Sequence, residues 1–419
     1  MKVVFFISNL SSLEDAVSED KYVIGLTGNI AVGKSVVRQM LQHLGAYTID
    51  ADQLSHQATA PGAPAYLPTV EMFGKFILNG DGTVNRSLLG SIVFSYPDAL
   101  AKLEAIVHPV VGQAMAALLA RAKQRVIVIE AIKLLESENL RAMVDSVWVV
   151  DASADAQIKR LTERRKMSED EARRRILAQR PQADKIAKAN VIIMNDGNVE
   201  DTWKQVQAAW SNLPAKARGV PETPPAGVKP LSGAASGAAG GEVRKSTGMH
   251  YSISPGFEIV VRRGMPTNAE LIASFISVST KREVSRMDVM WAFGQKSYLL
   301  VQEMQGRVVA LAGWQVENLI TRVDEFYVAA DVPREPVVRA LVNAVEEASR
   351  ELQSEVSFVF LPKSTPADIG QAFLGAGYQP MKLDEIKFPA WREAAHELIT
   401  SENIGLMKQL RADRVMKPI

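Results

Sequence analysis

The sequence predicts an α/β chain in two folded parts: a three-layer αβα domain built on a parallel sheet, and after it a second, α+β domain. Three observations predict this. Residues 22–35, YVIGLTGNIAVGKS, are typical of a buried strand, a glycine-rich loop and the start of a helix. Residues 214–249 are rich in Pro, Gly, Ala and Ser. After them, strand-like and helix-like runs alternate again, which indicates a second core.

The length of the chain supports this division. At 419 residues the chain is too long for one ordinary core. We expect an N-terminal extension at residues 1–20 with a short strand at 3–7, and a first domain at 21–213. A flexible linker at 214–249 and a second domain at 250–419 follow, because the linker composition cannot bury enough apolar surface to fold.

The charge balance and the absence of cysteine exclude several classes of function. Lys and Arg total 48 against 47 Asp and Glu, so no net field attracts nucleic acid or a membrane surface. Without cysteine, disulfides, thiolate catalysis and thiolate metal sites are excluded. The apolar start MKVVFFI is too short for a secretory signal, and no apolar run approaches membrane-spanning length. We therefore expect a cytoplasmic protein with no nucleic-acid or membrane partner.

The run 28–35 fits G-x-x-x-x-G-K-[ST], the pattern of a phosphate-binding loop. A glycine turn without a ligand can share this pattern, but the strand before it and the amphipathic helix after it favour phosphate binding. Backbone N–H groups and the helix N-terminus then converge on the phosphates. Lys34 would place a positive charge at the transferred phosphate, and the Ser35 hydroxyl would bind Mg²⁺. The predicted nucleotide-binding residues of the loop are Gly28, Asn29, Ala31, Val32, Gly33, Lys34, Ser35 and Val36.

Two carboxylates follow the next strand. Asp50 and Asp52 end the run AYTIDAD, and the ligand crevice of a parallel sheet lies at the carboxyl ends of its strands. Carboxylates there can accept the hydrogen bond of an attacking hydroxyl and hold Mg²⁺ through water. The alternative is that both aspartates cap the following helix.

An arginine-rich stretch occupies residues 157–181. Such a run is usually a solvated helix face. The alternative is a lid that delivers a guanidinium to the charge developing on a transferred phosphoryl group, and Arg164 is the residue we select for that role. The strands predicted at 145–151 and 190–197 flank this stretch and would end near the nucleotide.

With these motifs in place, residues 21–210 resemble the dephospho-coenzyme A kinases, a family of P-loop enzymes. The combination of IDAD with a His-Pro dipeptide downstream of the loop is the specific part of the resemblance. The matching fragments, in order, are LTGNIAVGKS, IDAD at 49–52, PGAPAY at 61–66, DGTVNRSLLGSIVF at 81–94, LEAIVHPVV at 103–111, KLLES at 133–137, QIKRLTER at 157–164, RILAQ at 175–179 and NDG at 195–197.

The resemblance implies a fold, a reaction and a site. The fold is a P-loop kinase with helical substrate and lid regions. The reaction is phosphorylation of the 3′-hydroxyl of dephospho-CoA by ATP with Mg²⁺, the last step of CoA synthesis. Asp52 would be the base, with Asp50 orienting water or metal, although either aspartate matches.

The same resemblance places four further residues. Arg86 and His108 would belong to the small helical region that receives the CoA portion, although a His before Pro is often only a hydrogen-bonding residue at a helix end. Asn195 and Gly197 would lie where the family packs adenine.

The loop and the substrate side depart from the family pattern in this chain. Asn29 and Ala31 stand where glycine is usual, and Val32 stands where a small serine is usual. Val36 replaces a common threonine, which removes one hydroxyl near the α-phosphate. EAIKLLES replaces the usual Pro-Leu-Leu segment and its acidic partner, and whether Glu136 or Ser137 takes that place stays open.

The second domain resembles the GCN5-related acetyltransferases across most of residues 255–382. In that family a glycine-containing loop holds the CoA pyrophosphate at a helix N-terminus. Here the loop is DVPREPVV at 331–338, with no glycine and two prolines, and Glu335 would repel a phosphate. We expect a degenerate domain that is regulatory, binds a protein partner or self-associates, rather than an active acetyltransferase.

Two functions therefore remain open from the sequence. One is the metabolic kinase with an accessory second domain. The alternative is an ATP-binding regulator whose second domain senses a CoA-type ligand or a partner. A GTPase is disfavoured because the chain has no N-K-x-D segment.

Overall fold

The computed structural model describes residues 20–218, 248–254, 257–317, 319–396, 398–412 and 415. The strand expected at residues 3–7 and the linker between 219 and 247 lie outside the described residues. The described chain forms two compact units, one made of residues 49–123 and 249–415 and the other of residues 20–48 and 124–218. The domain boundaries at 213 and 250 stay a prediction.

A five-stranded sheet forms the core of the first part of the chain. Its strands are β1 Tyr22–Thr27, β2 Tyr47–Asp50, β3 Val126–Glu130, β4 Ser146–Asp151 and β5 Val191–Met194. The strand order is β2-β3-β1-β4-β5, and β1 pairs in parallel with both β3 and β4. The apolar runs of the central strands are buried, as expected for strands covered on both faces. The predicted parallel α/β domain is confirmed.

The helices follow the predicted alternation. In chain order they are α1 Lys34–His43, α2 Ala51–Ala58, α3 Tyr66–Phe73, α4 Arg86–Ser95, α5 Pro97–Arg121, α6 Glu138–Ala142, α7 Ala154–Arg165, α8 Glu169–Leu177, α9 Gln182–Ile186, α10 Val199–Ser211, α11 Ala215–Arg218, α12 Ala269–Thr280, α13 Arg286–Ala292, α14 Arg334–Glu351, α15 Ala367–Gly375 and α16 Pro389–His396. The arginine-rich stretch forms two helices, α7 and α8, rather than one. Helix α11 begins inside the segment expected to be linker, where Ala217 is buried.

The region between β2 and β3 is helical. Helix α5 packs against α2, α3 and α4, and Ile77, Val84, Leu89 and Val93 form a small core beside it. We refer to helices α2 to α5 as the acceptor helices; the family resemblance implies that those between residues 81 and 111 receive the CoA portion.

Helix α5 bears on the expectation that no apolar run approaches membrane-spanning length. Within the part of the chain that the structure describes, it is the one helix long and apolar enough to cross a membrane. This is weak evidence for a membrane-spanning helix, because core helices of soluble proteins can have the same length and composition.

An eight-stranded sheet forms the core of the second part. Its strands are β6 Met249–Ser254, β7 Phe257–Gly264, β8 Ser297–Glu303, β9 Val308–Glu317, β10 Ile320–Val328, β11 Val356–Pro362, β12 Gln379–Pro380 and β13 Asn403–Gln409. Their order is β12-β13-β11-β10-β9-β8-β7-β6. The β10–β11 pair is parallel and is connected through α14, whereas the other neighbouring strands of this sheet pair antiparallel. The predicted α+β domain is confirmed, and its sheet extends beyond residues 255–382 through β6 and β13.

Candidate active site

Two glycines of the loop between β1 and α1 are required by close contacts. Gly28 has a φ of +150°, and a Cβ there would lie 2.4 Å from the carbonyl oxygen of Val150. Gly33 has a φ of +97°, and a Cβ there would lie 2.0 Å from Nδ2 of Asn195. No other residue type fits at either position without a shift of its neighbours, so these glycines bring the loop close to β4 and β5.

The N-terminus of α1 is built for an anion. Gly33 is the N-cap residue, has no side chain to occupy the first N–H groups, and the first turn contains no acidic residue. Lys34 is 8% exposed, and its Nζ lies 3.3 Å from the carbonyl oxygen of Asn29. The Ser35 side chain is exposed at the same helix end. These residues fit a nucleotide phosphate and its Mg²⁺.

Ala31 adopts the left-handed conformation that glycine usually supplies. Its φ is +59°, so the departure from the family pattern retains the backbone shape at the cost of some strain. Val32 is fully buried, which explains why an apolar side chain is tolerated there.

Arg160 and Asn195 hold the loop from outside. Nη1 of Arg160 donates to the carbonyl oxygens of Ala31 and Val32, each at 3.0 Å, and Nη2 donates to that of Asn195. The amide of Asn195 donates to Val32 O at 2.8 Å and accepts from the hydroxyl of Thr202 at 3.0 Å. Asn195 thus contacts the loop itself, whereas the sequence singled it out only for adenine.

Two glutamines near the arginine-rich helices bind loop amides. Oε1 of Gln179 accepts from Ile30 N at 2.7 Å, and Oε1 of Gln182 accepts from Asn29 N at 3.0 Å. The Nε2 of Gln182 also donates to Val150 O at 2.8 Å. The sequence patterns indicate no role for Gln179 or Gln182.

The proposed lid arginine lies beside Arg160. Arg164 is exposed in the last turn of α7. Burial and the charge of Arg164 both lower the pKa of Arg160, whereas Asp196 raises it. Gly197 is exposed after β5, where Asp196 accepts a hydrogen bond from Ser153 N at 2.5 Å. That bond is the main reason why the pKa of Asp196 is lowered.

A buried ion pair at the end of β3 was not predicted. Nε of Arg38, on α1, lies 2.7 Å from Oε2 of Glu130, and the two side chains are 13% and 9% exposed. The only sequence signal was an acidic residue directly after the apolar run VIVI. Nearby, Ser137 caps α6 by accepting from Leu140 N, and Glu136 lies in the preceding turn.

The two aspartates lie at the start of the acceptor helices. Asp50 is the N-cap of α2, and its Oδ1 accepts from Gln53 N at 2.9 Å. Asp50 therefore caps the helix, and the cap uses one of its two carboxylate oxygens. Asp52 is half-buried in the first turn of α2.

Arg86 and His56 form a polar cluster within the same helices. Nη2 of Arg86 donates to His56 O at 2.6 Å, and Nη1 lies 3.4 Å from the Thr59 hydroxyl. Desolvation and then the charge of Arg86 lower the pKa of His56, while Asp50 opposes them. Arg86 and His56 are thus neighbours. His108 is exposed in the middle of α5.

The loop before α14 in the second domain is not arranged to bind an anion. Helix α14 begins at Arg334 with Pro333 as its N-cap. Asp331 accepts from Arg307 at 2.6 and 2.7 Å, and Glu335 pairs with Arg339 in the first turn. Glu335 lies in the first turn of α14 and Asp331 lies in the loop before it, and carboxylates at a helix N-terminus disfavour an anion there.

The glycine loop between a buried strand and a helix, its lysine and serine, and the parallel sheet together define a P-loop kinase. Comparisons with known proteins identify the family. The family model of dephospho-CoA kinase matches residues 22–201. The dephospho-CoA kinase of Geobacter metallireducens is 44% identical over 190 residues, which are 45% of this chain and 94% of that relative. The chain belongs to the dephospho-CoA kinase family, as the motifs indicated.

Solved structures resemble each part of the chain. The dephospho-CoA kinase of Campylobacter jejuni is 26% identical, covers 46% of this chain and 97% of its own, and has a TM-score of 0.32. In the C-terminal region, the ribosomal-protein-S18-alanine N-acetyltransferase of Escherichia coli is 12% identical, covers 37% of this chain and 96% of its own, and has a TM-score of 0.30.

Proposed function

We propose that the protein transfers the γ-phosphoryl group of ATP to the 3′-hydroxyl of dephospho-CoA, giving CoA and ADP. The observation that carries the proposal is the phosphate loop with Lys34 at the uncapped N-terminus of α1, in a chain that belongs to the dephospho-CoA kinase family. Because the charges of the chain balance, with 48 Lys and Arg against 47 Asp and Glu, we expect a cytoplasmic enzyme with neither nucleic acid nor membrane as partner.

The residues of the loop would bind and orient the donor. Backbone N–H groups at the start of α1 and the Lys34 ammonium would neutralise the phosphates. The Ser35 hydroxyl would be a ligand of Mg²⁺, which would offset charge that develops on the transferred group. The second domain would have no catalytic part, since Asp331 and Glu335 oppose pyrophosphate binding.

The acceptor side would use the two aspartates and Arg86. Asp52 would accept the proton of the 3′-hydroxyl, while Asp50, which uses one oxygen for capping, would orient water or metal with the other. Arg86 would bind an anionic group of the acceptor, and the family resemblance adds His108. Arg164 would approach the transferred phosphoryl group when the lid closes.

A coupled ADP-release assay with ATP, Mg²⁺ and dephospho-CoA tests the proposal in the full chain. We expect Lys34→Ala and Asp52→Asn to reduce turnover at least about 100-fold, an order-of-magnitude expectation for electrostatic and base contributions. The matched controls Lys159→Ala and Asp98→Asn, which change exposed side chains, should behave like the parent protein. ATP binding without any acceptor-dependent ADP release would overturn the kinase and favour the ATP-dependent regulator.

A further inference from the structure

The turn between α14 and β11 is buried along its whole length. Leu352, Gln353, Ser354 and Glu355 are between 0 and 6% exposed. A connection between a helix and a strand normally lies at the surface, where water satisfies its polar groups. This turn is therefore covered.

Gln353 shows that an acceptor helix covers the turn. Its Nε2 donates to the carbonyl oxygen of Leu118 at 2.9 Å, across 235 positions of the chain. Leu118 lies in the last turn of α5, and the same carbonyl oxygen accepts from Ala122 N at 3.0 Å. A carbonyl oxygen has two lone pairs, so Gln353 adds a second donor to a carbonyl that the helix already uses. The second domain thus contributes a side-chain hydrogen bond to the C-terminal turn of α5.

Hydrogen bonds hold the backbone next to Gln353 in place. Gln353 itself has a φ of +62°. The next residue, Ser354, donates its backbone N–H to Ser349 O at 2.9 Å and its hydroxyl to Leu319 O at 3.1 Å. Glu355 N donates to Leu319 O at 2.6 Å. Oε1 of Gln353 is buried and accepts no hydrogen bond among the described residues, so Nε2 carries the polar contact of this side chain.

We propose that the acetyltransferase-like domain sets the affinity of the kinase for its acceptor, with Gln353 fixing the end of α5. Gln353 is a positioning residue that acts through this helix and keeps the acceptor helices in their binding arrangement. The proposal rests on the proposed function only for its kinetic readout.

The test replaces Gln353 in the full chain by Met, which keeps the length of the side chain and removes the donor. We expect the KM for dephospho-CoA to rise about three- to tenfold, as for the loss of one buried hydrogen bond, with the KM for ATP unchanged. The matched control is Gln409→Met, because Gln409 donates to Arg411 O, two residues away at the end of its own strand.

Hydrogen exchange of the peptide 113–123 gives a readout that needs no activity. Gln353→Met should speed exchange at the end of α5, and Gln409→Met should not. Equal exchange in the two variants would overturn the docking, even if the parent protein had no turnover. If the parent protein has no turnover, faster exchange in Gln353→Met than in the parent would still support the docking. This outcome separates the docking from a failure of the proposed function.

Discussion

Gly33 offers a test of the loop geometry with a control inside the same compact unit. Gly33 and Gly45 have similar backbone conformations, with φ of +97° and +107°. A Cβ at Gly33 would lie 2.0 Å from Asn195 Nδ2, whereas a Cβ at Gly45 would meet nothing within 4 Å. Alanine substitution at the two positions therefore separates backbone strain from the collision with Asn195.

The expected magnitudes follow from the contacts. Alanine in the left-handed region costs roughly 1–2 kcal/mol, and this cost is common to Gly33→Ala and Gly45→Ala. Displacing Asn195 breaks its bonds to Val32 and Thr202, each worth about 1 kcal/mol. The cost per bond stays this small because the Val32 carbonyl retains Arg160 and the Thr202 hydroxyl retains Asn198 O. Gly33→Ala should thus destabilise the protein by about 2 kcal/mol more than Gly45→Ala.

Thermal unfolding of the full chain measures the difference. For a unit of this size, about 2 kcal/mol corresponds to a Tm roughly 4–8 °C lower for Gly33→Ala than for Gly45→Ala. The KM for ATP should rise only in Gly33→Ala, because the displaced residue supports the loop. Equal Tm values in the two variants would refute the reasoning that Asn195 closes against the loop.

Three further predictions concern the surroundings of the site. Arg38→Met should destabilise the protein by about 3–5 kcal/mol in urea unfolding, because it leaves the carboxylate of Glu130 buried without the guanidinium. The double variant Arg38→Met/Glu130→Met should recover most of this loss of stability. A double variant as unstable as the single one would argue against the pair. Gln182→Ala should raise the KM for ATP about tenfold, since the bonds to Asn29 and Val150 are lost together; an unchanged KM would contradict a role in loop position. The folded state holds the pKa of His56 below 6.5, so it binds fewer protons than the unfolded state as the pH falls through 6.5, and the free energy of unfolding decreases. His56→Asn should weaken this acid dependence in urea unfolding, and identical pH profiles would show that the His56 side chain contributes nothing.

The sequence predicts the parts of the site that are local. The phosphate loop, its strand and its helix are consecutive in the chain, so periodicity and glycine positions indicate them without knowledge of the fold. The same holds for Asp50 and Asp52 at the end of β2. These elements are enough to identify the class of protein from local patterns alone.

The residues that support the loop could not be predicted in this way. Arg160, Gln179 and Asn195 reach the loop across between 128 and 163 positions of the chain, and each belongs to a segment whose polar residues resemble a solvated surface. Only the sheet order brings them together. The contact of Gln353 with Leu118 depends on how two folded parts pack, which no local pattern encodes.

The identity of the product tests the central claim most directly. ³¹P NMR of a reaction containing the full chain, ATP, Mg²⁺ and dephospho-CoA should show a new phosphomonoester signal on the 3′-oxygen of the acceptor, equal in amount to the ADP formed, and absent with Lys34→Ala. ATP consumption without that phosphomonoester, or the same signal in the Lys34→Ala protein, would contradict the account.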